Sequence, residues 1–231
     1  MPSSSLNAVA FDAYGTLFDV YSVGALAAQL FPEKGAELTH LWRLKQIEYT
    51  QLRTLAGHYK PFWEITEDAL AFAARSLALD LDETMRSRLM NQYACLAAFP
   101  ENLAALRDLK ALGIPMAILS NGTPRMLDIA VKSAGMAGLF DHLLSVDAVK
   151  KYKPAPEVYQ LGPDAFACAA SQILFVSSNG WDIAGAAWFG FTTFWINRSG
   201  QPPEELDVTP TATGSTLNDA VAYLHSRLVK K

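Results

Sequence analysis

Cysteine is scarce: Cys95 and Cys168 are the only two in 231 residues, which leaves no disulfide framework and no paired CxxC metal-ligand spacing. Long apolar runs are missing too. None reaches the ~18 uninterrupted residues of a membrane span, and the opening Met1-Pro2-Ser3-Ser4-Ser5-Leu6 carries no basic segment ahead of an apolar one, so neither export nor anchoring is read. Positive charge is in deficit, with 19 Lys and Arg against 23 Asp and Glu, for a net charge of −4 and no basic cluster to meet a polyanion. These absences point to a cytoplasmic protein with no nucleic-acid or membrane partner and a small-molecule ligand. The tripeptides Asn121-Gly122-Thr123 and Asn197-Arg198-Ser199 match glycosylation sequons but read as chance in a chain without a secretory signal. His40, His58, His142 and His225 stand in no catalytic motif, and no GxSxG elbow is present, which argues against a serine hydrolase.

What is present is an alternation. Short apolar, partly β-branched runs at Ala8 to Asp12, Pro115 to Ser120, Ile173 to Ser177 and Thr192 to Asn197 read as strands, with a fifth at His142 to Val146. Helical spacing separates them, as in Leu103-Leu106-Leu109-Leu112 and Met126-Ile129-Ala130-Ala134. The pattern predicts an α/β fold: a Rossmann-like parallel sheet with helices on both faces. Between about Tyr21 and Leu96 the texture becomes helix after helix, over Leu38 to Leu55, Glu64 to Leu77 and Asp82 to Leu96. That block reads as an inserted all-helical cap (21–96) on a core formed by 1–20 and 97–231, closing over the sheet edge where ligands of open α/β sheets bind. Its apolar stripe Ile65-Ala69-Phe72 reads either as packing or as a subunit interface. Gly200-Gln201-Pro202-Pro203 is turn chemistry.

Each strand tip ends in polar groups: Asp12 and Thr16 after the first, Ser120 and Asn121 after the second, Ser177, Ser178, Asn179 and Asp182 after Ile173 to Ser177. Lys153 lies in a loop leading to a helix. Singly, Asp12 and Asp182 read as helix caps or turn residues and Lys153 as a solvated lysine. Together, converging on one edge of a parallel sheet, they form an active-site constellation of nucleophile, cation, hydroxyls and second acid.

In FDAYGT (11–16), ILSNG (118–122), KPAPEVY (153–159) and FVSSNGWD (175–182) the chain resembles the haloacid dehalogenase superfamily over nearly its whole length. Most members are magnesium-dependent phosphatases with a second Asp two residues after the first. Here that position is Tyr14, and Ser177-Ser178-Asn179 stands where the phosphatases offer acids. Both departures resemble the L-2-haloacid dehalogenase branch, which hydrolyses carbon–halogen bonds. Halide leaves as a stable anion and needs no proton donor.

The resemblance implies no metal and no other cofactor, a 2-haloalkanoic acid, water and halide as the small-molecule partners, and a homodimer. It makes Asp12 the nucleophile, attacking C2 with inversion to give an ester. Asp182 activates the water, helped by Asn179 and Lys153, while Ser177 and Tyr159 hold Lys153 and Asp12. Thr16 fixes Asp12, and Ser120 with the backbone near Ala13 and Tyr14 receives the substrate carboxylate. Arg43, with Asn121 and Phe62, receives the halide, and Tyr14, Ile47 and Trp181 wall the alkyl side. Left to the residues alone, Arg43 is an exposed helix residue, Tyr159 an amphipathic-helix residue and the aromatics plain core. A phosphatase with altered motifs and a catalytically dead anion-binding protein are the alternatives.

Overall fold

The computed structural model describes residues 5–228. Met1-Pro2-Ser3-Ser4 and Val229-Lys230-Lys231, included in the expected core ranges, lie outside the described residues. Six strands form one parallel sheet: β1 (Ala8–Phe11), β2 (Met116–Ser120), β3 (His142–Ser145), β4 (Ile173–Ser177), β5 (Thr192–Ile196) and β6 (Ala212–Gly214), in the order β3-β2-β1-β4-β5-β6. β1, β2 and β4 are buried along their whole length, as near-continuous apolar runs in a sheet covered on both sides must be.

The helices are α1 (Gly24–Leu30), α2 (Gly35–Ala56), α3 (Phe62–Ser76), α4 (Glu83–Ala94), α5 (Asn102–Ala111), α6 (Pro124–Ser133), α7 (Pro156–Phe166), α8 (Gly180–Phe189) and α9 (Leu217–Leu228). Right-handed crossovers that step from β1 toward β3 put α5 and α6 on one face of the sheet. Those that step back from β3 toward β5 put α7 and α8 on the other. α9 packs on α5, and α7 on α8. The direction of winding reverses between β1 and β4, so the crevice past their carboxyl ends is the switch point where such sheets bind ligands.

Residues 21–96 hold α1 to α4 and no strand of the sheet, as the helical texture predicts. α2 and α3 make the most extensive helix pair, and Ile65 and Ala69 are fully buried there while Phe72 meets Tyr49 edge-on. The Ile65-Ala69-Phe72 stripe is therefore packing within the chain. The exposed apolar stripe lies on α2 instead, at Leu44, Leu52 and Leu55.

Three sequence expectations are adjusted. β6 is an additional edge strand, three residues long and only half-buried, too short for a periodicity to register. α1 is a separate seven-residue helix ahead of the first expected cap helix. In α5 the buried set is Asn102, Ala105, Leu106 and Leu109, because a strict three-residue stripe drifts off one face of a 3.6-residue helix. Leu112 falls just past the helix and is exposed.

Candidate active site

Asp12 sits one residue beyond β1, its backbone N–H continuing the ladder to Val176 O at 2.9 Å. The chain then turns sharply: Ala13 O accepts N–H groups from Leu17 at 2.9 Å and Phe18 at 3.0 Å. Gly15, at φ +97°, supplies the left-handed conformation that this turn needs. Nearly buried, the Asp12 carboxylate is fully supplied with donors. Lys153 Nζ reaches Oδ1 at 3.1 Å, while Thr16 Oγ1 at 2.9 Å and Asn179 Nδ2 at 2.8 Å donate to Oδ2.

Lys153 is equally buried and is shared. Its ammonium also meets Asp182 Oδ2 at 2.8 Å and lies 4.9 Å from the Phe175 ring centroid. Burial alone would depress this lysine, but the two carboxylates outweigh it and hold the ammonium above its ordinary range. Asp182, in the first turn of α8, is pushed up to about 6. Burial is the main cause; the Lys153 ammonium opposes it and the Asp12 charge adds to it. One cation stands between two anions. The ammonium has two anionic partners, whereas the second carboxylate shares its one cation with Asp12.

Ser177 and Tyr159 support this pair, but not as expected. Ser177 Oγ donates to Asp182 Oδ2 at 3.1 Å and Tyr159 OH to Asp182 Oδ1 at 2.8 Å. Both hydrogen-bond Asp182, and no side-chain hydrogen bond runs from either to Lys153 or Asp12. Tyr159 is wholly buried on the inner face of α7, and burial beside Asp182 raises its hydroxyl well above the ordinary range. α8 passes so close that a Cβ on Gly185 would lie 2.5 Å from the Tyr159 hydroxyl.

On the cap side, Arg43 of α2 reaches back across the sheet edge. Its Nη2 donates to Tyr14 O at 3.2 Å and to Asn179 Oδ1 at 3.5 Å, so Arg43 is not a solvated helix residue. Asp12, Tyr14, Arg43, Ile47, Phe62, Asn121, Asn179 and Trp181 line one small pocket together with Thr50. Its free space, about 10 Å³ to a water-sized sphere, admits about one water. Asn121 also accepts Lys153 N–H at 3.1 Å. Ser120 is buried at the tip of β2, where its Oγ accepts Gly122 N–H at 3.0 Å. Ser120 and Ala13 share the sheet edge with the others without lining this pocket. Arg43, Ile47 and Asn179 also face an outer cleft of about 720 Å³ that runs past Asp19, Phe99 and Arg198.

Sequence reasoning missed Gln46 and Thr50. Both are buried polar residues on the face of α2 that carries Arg43, at the i+3 and i+7 positions. Their spacing from Arg43 was the available signal.

A family model described as haloacid dehalogenase-like hydrolase matches residues 6–190. An (S)-2-haloacid dehalogenase of Pseudomonas sp. (strain YL) is 52% identical over 89% of this chain and 88% of its own length. Among solved structures, an L-2-haloacid dehalogenase shares 61% identity with a TM-score of 0.95, covering 96% of this chain and 100% of its own. The L-2-haloacid dehalogenase of Xanthobacter autotrophicus, solved with chloropropionic acid covalently bound, shares 34% identity with a TM-score of 0.90, covering 95% and 98%. By the family match over residues 6–190 and by these relatives, this chain belongs to the haloacid dehalogenase-like hydrolases, in their L-2-haloacid dehalogenase branch.

Proposed function

We propose that this chain hydrolyses L-2-haloacids to D-2-hydroxy acids and halide through an ester on Asp12. The observation that carries the reading is the buried Asp12–Lys153–Asp182 triad with a tyrosine, not a second acid, two residues past the nucleophile. An Asp12 oxygen attacks C2 from the side opposite the halogen. The C–O bond forms as the carbon–halogen pair departs with the halide, inverting C2. Water then attacks the ester carbonyl carbon of Asp12 and gives a proton to Asp182; the acyl C–O bond breaks, the departing alkoxide takes that proton to become the D-2-hydroxy acid, and because the C2–O bond is never cut the inversion persists.

Thr16 and Asn179 fix the nucleophile, and Ser177 and Tyr159 hold Asp182 as the base. Ser120 and the backbone around Ala13 and Tyr14 take the substrate carboxylate. Arg43, Asn121 and Phe62 surround the leaving halide, whose growing charge the guanidinium stabilises. Ile47, Tyr14 and Trp181 wall the alkyl group. Burial raises the Tyr14 hydroxyl well above its usual value, so this position offers phosphoryl transfer no acid of carboxyl strength.

The donor set does not suit magnesium. A hard cation needs several available oxygen ligands, and the Asp12 and Asp182 oxygens already accept from Lys153, Thr16, Asn179, Ser177 and Tyr159. A metal-independent, cytoplasmic homodimer completes the proposal, with the α2 stripe Leu44, Leu52 and Leu55 as its apolar face and 21–96 as a cap on the core of 1–20 and 97–231.

The test is incubation with each enantiomer of 2-chloropropionate in the presence of a chelator, measuring chloride and lactate. Chloride and D-lactate from the L form alone are expected. Chloride from neither enantiomer, or phosphate released from phosphoesters only with magnesium, would overturn the proposal.

A further inference from the structure

We propose that Gln46 is a positioning residue whose neutral amide aims the Arg43 guanidinium at the pocket without cancelling its charge, an inference that rests on the dehalogenase reading for the identity of the anion. Gln46 is completely buried. Its Oε1 accepts from Arg43 Nη1 at 2.7 Å and from Tyr93 OH at 3.1 Å, and its Nε2 donates to Thr66 Oγ1 at 2.7 Å. The Thr66 hydroxyl is itself committed, donating to Phe62 O at 2.7 Å. Its oxygen can therefore only accept, which fixes the Gln46 amide with nitrogen toward Thr66 and oxygen toward Arg43.

The partners of Arg43 are all uncharged: the carbonyl oxygens of Tyr14, Gln46 and Asn179. A partly buried arginine is often met by a carboxylate in a bidentate pair. Such a pair would locate the guanidinium equally well and neutralise it, removing the field that a departing anion requires. A glutamine supplies the geometry and leaves the charge. Thr66 and Tyr93 complete the set, so that both Nε2 and Oε1 of the buried amide have a hydrogen-bond partner.

The direct test compares the parent with Gln46→Glu, Gln46→Leu and Thr66→Val. Turnover of L-2-chloropropionate and product inhibition by chloride are measured from pH 6 to 9, and chloride binding is followed independently by 35Cl NMR line broadening. For Gln46→Glu, which keeps the shape and adds a charge, kcat falls about 100-fold at pH 9, the scale of losing one transition-state anion donor. Chloride inhibition weakens about tenfold and KM moves little, at pH 6 as at pH 9, because a carboxyl beside the Arg43 guanidinium stays ionised across that range. Gln46→Leu and Thr66→Val lower kcat and chloride affinity less.

A merely structural Gln46 would lower the melting temperature and leave the chloride affinity of the folded protein unchanged, and that result overturns the proposal. Should Gln46→Glu fail to fold, Thr66→Val decides, since chloride broadening equal to the parent's would refute the role. A parent that releases no chloride from substrate refutes the dehalogenase reading alone, because the NMR comparison of parent and variants still reads Arg43.

Discussion

On the sheet side of the pocket three charges, Asp12, Lys153 and Asp182, meet within hydrogen-bond distance; on the helical side the guanidinium of Arg43 meets only neutral oxygens. Formally the triad carries one negative charge and Arg43 one positive, so the pocket as a whole is balanced while each wall is not. The imbalance is directional. The wall that must deliver electrons to carbon holds the excess anion, and the wall that must receive the halide holds the excess cation. Each wall is kept that way by neutral hydroxyl and amide donors and acceptors, not by further charges.

The sheet-side wall breaks most severely on loss of its cation. Lys153→Met leaves two buried carboxylates facing one another, a situation that costs about 3–5 kcal/mol when one partner of a buried pair is removed. Urea unfolding near pH 7 is expected to show that loss, with turnover abolished. Adding Asp182→Asn to Lys153→Met should recover part of the stability and none of the activity. A single variant as stable as the parent would mean that the lysine does not hold the two anions together.

Acid sharpens the comparison by acting on one wall only. Asp182 is raised to about 6 from 3.8, so in the folded protein it takes up a proton as pH falls through 6 and can no longer accept one from water. Turnover should therefore decline below about pH 6, with the ester on Asp12 accumulating. Stability runs the other way. A carboxyl whose folded pKa lies above its unfolded value contributes stability that is complete below 3.8 and lost as pH rises through 6. Asp182→Asn should stop turnover at every pH with the ester persisting, and should remove this stability trend. Matched pH-rate and pH-melting series on the parent and that variant check the sign.

The two walls also differ in how far the sequence reveals them. Asp12, Thr16, Ser177, Asn179 and Asp182 stand at strand tips, where a polar residue after a buried run is conspicuous and a parallel sheet forces convergence. Lys153 follows, because its loop precedes a helix of the same sheet. Which group each one holds was not legible: Ser177 and Tyr159 grip Asp182, a choice made by side-chain reach across α7, α8 and β4. On the cap wall, Arg43 stood out only by resemblance. Gln46 offered only its spacing from Arg43 on α2, and Thr66 and Tyr93 were invisible, since they come from two further helices whose rotation against α2 no local period encodes. β6 escaped for a different reason, being an edge strand stabilised by pairing with β5 and not by its own pattern.

The smallest expected effect concerns the boundary between the walls. Thr50 is buried on α2 and lines the pocket together with Trp181 and Phe62. Its hydroxyl donates to Ile47 O at 2.6 Å, one turn back along its own helix, and so spends its polarity locally. What it presents to the pocket is volume. In a space that admits about one water, a methyl and a hydroxyl decide whether the substrate chain has one carbon beyond C2 or two. Thr50→Ala should therefore raise kcat/KM for L-2-chlorobutyrate relative to L-2-chloropropionate by roughly tenfold, the scale of one methylene in an apolar pocket. Thr50→Val, equal in size and without the hydroxyl, should leave that ratio unchanged. Equal shifts in both variants would assign the selectivity to the hydrogen bond that holds the helix, not to the space beside Trp181.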